Sequence, residues 1–137
     1  VPFYPAELAD KAMADWYDDF ASGPVADLAA AIFFQRFMRP RAFKQEPDEA
    51  LIANIIGTKL PPLLTYIEEQ LPTEGYLFGA FSIADLTLVT PFVNASYAGY
   101  DVCSDKYPKF AALIKAVRSE PAVATILAKE ARALGFV

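Results

Sequence analysis

The stretch Glu74–Asn94, EGYLFGAFSIADLTLVTPFVN, carries a single charged side chain after its first residue: Asp85, in the middle of an apolar run. A carboxylate there is costly to bury unless it is neutralised, paired or hydrogen-bonded. The spacing supplies the partners. Ser82-Ile83-Ala84-Asp85 matches an N-terminal capping box, with Asp in place of the commoner Glu or Gln. In that motif the Ser82 side chain accepts from the N–H of Asp85, and the Asp85 carboxylate reaches back to the N–H of Ser82. Phe81 and Leu86 stand where a hydrophobic staple would close. A negative charge also suits the positive end of a helix. Asp85 therefore reads as a structural acid that opens a helix, not as a catalytic one. Beyond it the segment is apolar nearly all round, which marks a central, buried helix.

Helical periodicity continues on both sides. Upstream, a helical stretch is predicted from about Ala6 to Arg39, with a stripe of Leu8, Ala12, Trp16 and Phe20 taken up by Val25, Leu28, Ile32 and Phe33. Ser22-Gly23-Pro24 predicts a kink in it, and Pro40 a stop. A second stretch spans roughly Asp48 to Leu71 and should bend at Pro61-Pro62, where Gly57, four residues earlier, gives the backbone room. Downstream, Phe110, Leu113, Ile114 and Val117 stripe a helix after Pro108. Ser119 is expected to cap a last one, with Pro121 in its first turn and Val123, Ile126 and Leu127 facing inward. No run alternates over enough residues to be a strand. The fold class is all-α, about five to six helices around a central buried one.

Composition excludes whole classes of chemistry. The chain has 137 residues, enough for one domain with a real core, and is too apolar at 55% for disorder. It has no histidine, which removes His-dependent nucleophilic triads, histidine metal sites and imidazole proton shuttles. Its one cysteine, Cys103, allows no internal disulfide or thiolate cluster. A free thiol fits a reducing, cytoplasmic setting. A net charge of -5 argues against nucleic acid, which needs a concentrated basic surface. The apolar stretch from Gly75 to Tyr100 is long enough to suggest a membrane span, but Asp85, Pro91, Asn94 and three glycines interrupt it and no basic flank follows. No membrane is expected, and no metal. The opening Val1-Pro2-Phe3-Tyr4-Pro5 reads as a linker (residues 1–5) ahead of a helical domain (6–137).

Taken in order, GYLFGAFSIADLTLVTPFVN, Trp16 in the first helix, IEEQL closing the second and KYPKFAALIKAVRSEPAV resemble the C-terminal all-helical domain of the glutathione transferase family. The likeness covers essentially the whole chain and looks most like bacterial members. It implies a preceding thioredoxin-like domain that binds glutathione and carries the Ser, Tyr or Cys acting on its thiolate. The implied function is conjugation of glutathione to small hydrophobic electrophiles, as in detoxification, by a homodimer. This domain would line the co-substrate site and part of the dimer interface, hold no catalytic residue and be inactive alone. Glutathione-dependent isomerase, dehalogenase or reductase activity is compatible with the same fold, as is a non-catalytic interaction module.

By the same resemblance Asp18, two residues after Trp16, would meet the amino group of glutathione, while Ser22, Val25, Thr87 and Asn94 would approach the co-substrate. Bacterial relatives can carry Asn and His where this chain has Asp18 and Val25, which leaves the subclass open. The residues themselves allow two readings. Thr87, Thr90 and Asn94 share one face of a greasy helix, either beside a partly wet pocket or with the hydroxyls bonded to the preceding turn and Asn94 paired in the core. Asp18 is either a ligand contact or part of a solvated face beside Asp15 and Asp19. Phe33, Phe34 and Phe37 fit a core better than a substrate floor. Trp16 is expected inside, with Tyr17 outside, and Glu68-Glu69 reads as a solvated pair.

Overall fold

The computed structural model describes residues 3–136, and its described elements are all helical. The first rod joins α1 (Leu8–Phe20), α2 (Ala26–Phe33) and α3 (Arg39–Phe43) through π turns at Ala21–Val25 and Phe34–Met38. The second joins α4 (Glu49–Asn54) and α5 (Leu60–Gln70) through a π turn at Ile55–Lys59. Then come α6 (Ile83–Tyr97), α7 (Pro108–Ser119) and α8 (Pro121–Ala133). These five rods match the expected architecture.

Each π turn lies at a proline. One contains Pro24, and the others end two residues before Pro40 and Pro61. A widened turn accommodates a ring that would collide with the carbonyl four residues earlier. Gly23 takes a non-helical conformation (φ -93°, ψ -106°) and makes the expected kink. Pro40, by contrast, does not end the first rod. The rod runs on to Phe43 and stops where Lys44 turns left-handed at φ 55°.

The buried face of α1 is rotated from the predicted one. Ala14, Tyr17 and Ala21 are buried, whereas Leu8 is 82% exposed and Trp16 is 41% exposed. The four-residue stripe of large side chains drifts off a 3.6-residue period, and small alanines let this face of α1 approach Ala84 of α6. Tyr17 therefore occupies the interior position expected for Trp16. The Trp16 ring stacks on Phe20 at 5.1 Å and meets Tyr66 edge-on, outside the core.

The centre is α6, whose Ala84, Leu88, Val89, Phe92, Val93 and Ala95 are all buried. Its capping box forms. Oδ2 of the wholly buried Asp85 accepts from the Ser82 N–H at 2.9 Å and from the Ser82 hydroxyl at 3.1 Å. Oδ1 accepts from the N–H of Leu77 at 2.9 Å, which fastens the Tyr76–Gly79 turn to the helix start. Burial pushes the Asp85 carboxyl above its usual range, while these bonds from Leu77 and Ser82 pull it down. The N–H of Ile83 finds the carbonyl of Phe3 at 2.9 Å, and the Phe3 ring meets Phe81 edge-on at 5.3 Å. The segment before α1 is thus docked on the entry of α6.

Polar side chains tie distant elements together in the same way. Gln35 Oε1 accepts from the N–H of Asp48 at 2.9 Å and from Arg39 at 2.9 Å, joining the first two rods. Glu68 is no solvated bystander. Its two oxygens accept from the N–H groups of Lys109 and Phe110, both at 2.9 Å, and so cap α7 from another helix. Ser119 does not cap α8. Its hydroxyl donates to the Lys115 carbonyl at 2.8 Å, and Glu120 takes the cap position. Tyr76 donates to Glu120 and Tyr97 to Glu130, holding α8 to the body. Burial, aided by Glu120, pushes the Tyr76 hydroxyl up to about 12. Ile126 points outward at 64% exposure, against expectation, while Val123 and Leu127 pack on the core.

The rod Glu49–Gln70 is long and apolar enough by composition to cross a membrane. Its apolar stripe instead turns inward through Ile52, Ile55, Leu60, Leu64 and Ile67, all buried. Two predictions follow from the polar ties. Asp85→Ala should lower stability by about 1–3 kcal/mol, since a cap is lost and N–H groups are stranded; an unchanged melting temperature would exclude that role. Glu68→Ala should cost about 1–2 kcal/mol in urea denaturation, because α7 has no side-chain cap of its own.

Candidate functional site

The polar stripe of α6 faces a groove, not the core. Ala21, Ser22, Ala26 and Ala30 of the first rod form one wall, and Leu86, Thr87, Thr90, Pro91 and Asn94 the other, around about 340 Å³. The small side chains of Ala21, Ala26 and Ala30 leave this space unfilled at the surface. The structure therefore brings Ser22, Thr87 and Asn94 together, with Thr90 between the last two.

It separates the other two candidates. Val25 is fully buried among the core residues and takes no part in the groove. The kink at Gly23 lies between Ser22 and Val25, so their spacing no longer implies a shared face. Asp18 is half-buried one turn before Ser22 and is not among the groove residues. Its backbone carbonyl accepts from the Ser22 hydroxyl at 2.7 Å.

Both threonines satisfy the backbone reading as well as the pocket one. Thr87 donates to the Ile83 carbonyl at 3.0 Å and Thr90 to the Leu86 carbonyl at 2.7 Å. With their protons engaged, these hydroxyls offer a ligand only acceptor lone pairs. Asn94 makes no side-chain hydrogen bond among the described residues, and no buried polar side-chain atom there lacks a partner. Its amide is therefore open to the groove, with both donor and acceptor free.

Leu86, Thr90 and Asn94 recur every four residues and line a second groove as well. This one, about 380 Å³, runs between α6 and α8 and is walled by Phe3, Phe81, Val89, Val93, Val123 and Leu127. The row on α6 is a ridge dividing the two. Nothing in the sequence pattern pointed to the second groove, because it needs α8 and the segment before α1 beside the same helix. Of the phenylalanines, Phe37 is buried and stacks on Phe33 at 4.9 Å, Phe34 is 44% exposed, and none of the three lines a groove.

The first groove contains no thiol, imidazole or carboxylate. It can bind, shape and desolvate a ligand through apolar contact, hydroxyls and one amide. Among the described residues no three His, Cys, Asp or Glu side chains are placed to hold a metal.

The sequence of residues 33–130 matches the family model of the glutathione S-transferase C-terminal domain. None of the curated proteins matches the chain. Among solved structures it is similar to glutathione S-transferase-I bound with the ligand lactoylglutathione, with a TM-score of 0.78 and 24% identity. That alignment covers 89% of this chain and 58% of the other, so the chain spans little more than half the length of its structural relative. At that identity the likeness speaks for the fold, and the family model carries the assignment: the chain belongs to the glutathione S-transferase C-terminal domain family.

Proposed function

We propose that this chain is the helical domain of a cytoplasmic glutathione transferase that conjugates glutathione to small hydrophobic electrophiles. The observation that carries this reading is the groove between the first rod and α6, where Ser22, Thr87 and Asn94 meet among apolar walls. A thioredoxin-like domain joined through residues 1–5 as the linker would bind glutathione and lower its thiol pKa. This domain's part is to hold the electrophile against the thiolate and exclude water. Asn94 would orient it through a hydrogen bond, and Leu86 and Pro91 would supply apolar contact. Asp18, with its position near the groove, would pair with the ammonium of glutathione. The chain alone would be inactive.

A homodimer suits the exposed apolar face of α1. Leu8, Met13 and Trp16 stay at the surface, with Trp16 and Met13 each 41% exposed. Large apolar side chains left at the surface suit an interaction site. None of the large apolar side chains of α6 is exposed to that degree.

The test is kinetic. In the full-length protein, Asn94→Ala should lower kcat/KM for an aryl halide about fivefold or more, while KM for glutathione changes less than about twofold. Equal loss for both substrates would count against the groove. Full-length protein should be retained on immobilised glutathione and the 137-residue chain should pass through; failure of the full-length protein to bind favours an interaction module. Met13→Glu should shift the full-length protein from dimer to monomer in sedimentation velocity, with little change in melting temperature.

A further inference from the structure

A third cavity, about 480 Å³, lies between the C-terminal part of α6, the Asp101–Val102 segment and α7. It shares no lining residue with the two grooves above. Its wall combines apolar Phe92 and Ile114 with polar Ser96, Asp101, Lys115 and Arg118. Lys115 and Arg118 are three residues apart on α7, so both project from one face.

Three observations set this cavity apart. The protein carries a net charge of -5, yet two of its 12 cations meet here beside a single carboxylate, Asp101. Neither cation is in an ion pair among the described residues, where the only salt bridge is Arg36–Glu49. Arg118 is held toward α6 by Ser96, whose hydroxyl oxygen accepts from it at 3.4 Å, while that hydroxyl donates to the Val93 carbonyl at 2.6 Å. An unpaired guanidinium fork and an ammonium over an apolar wall suit an oxyanion attached to a flat apolar body. The volume falls within the usual range for a small-molecule site.

We infer that the cavity between α6 and α7 is a binding site for a small aromatic oxyanion, a carboxylate or a phosphate monoester, held by Lys115 and Arg118 over Phe92 and Ile114. The site is independent of the proposed conjugation. The cations also suit the negative end of α7, a role that would show in stability and not in binding.

Phenyl phosphate is the probe, titrated calorimetrically into the full-length protein with inorganic phosphate and phenol as partial ligands. Saturable binding of phenyl phosphate, tighter than either part and weakened by added salt, is expected. Lys115→Gln with Arg118→Gln should weaken it about tenfold or more, and Asp101→Asn should tighten it. Both variants change surface residues, and circular dichroism melting checks that each stays folded. No saturable heat, or binding unchanged in the double variant, overturns the inference, since phenyl phosphate would then be seated elsewhere or not at all. If the double variant unfolds, the Asp101→Asn result decides: no gain in affinity overturns the site.

Discussion

The buried carboxylate of Asp85 is the constraint around which the helices are arranged. A charge with no access to water needs donors on every side, and this one obtains them from Ser82 and from Leu77, eight residues upstream. Those bonds fix two things at once: the first turn of the central helix and the path of the Tyr76–Gly79 turn leading into it. The adjacent N–H of Ile83 takes the Phe3 carbonyl, so the segment before α1 is held at the same point. Removing the acid would leave buried N–H groups without partners, a larger penalty than the loss of one favourable contact.

The rest of the bundle repeats this economy on a smaller scale. The helices are short, interrupted by proline and mostly poor in local caps, so their ends are satisfied from elsewhere in the chain. Glu68 of α5 caps α7, Gln35 closes the start of the second rod, and Tyr76 and Tyr97 hold the two ends of α8 through glutamates. Long-range caps couple helix formation to packing, because an end capped in this way is complete only when its neighbour has docked.

The same central helix defines the ligand-sized spaces. Its buried faces build the core, and its remaining row of Leu86, Thr90 and Asn94 separates two grooves. The groove carrying the predicted polar residues offers shape, apolar surface and one free amide. That inventory suits a domain that positions a co-substrate while the reactive thiolate comes from a partner domain.

The sequence by itself determined the helical class, the capping box, the kink at Gly23, the start of α7 and the family resemblance. All of these are written in local spacing, in residues within one or two turns of each other. Sequence also placed Thr87 and Asn94 on one face of α6, because an unbroken helix preserves register over two turns. Only the tertiary structure decided which face of α1 is inside. The four-residue stripe points to Trp16, but the inner face is the one carrying Tyr17 and the small Ala14, which packs against Ala84 of α6. It likewise separated Val25 from Ser22, since a kink rotates everything beyond it, and turned Glu68 from a surface charge into a helix cap. A cap across 41 residues has no signature in spacing, because its partners become neighbours only when the helices pack.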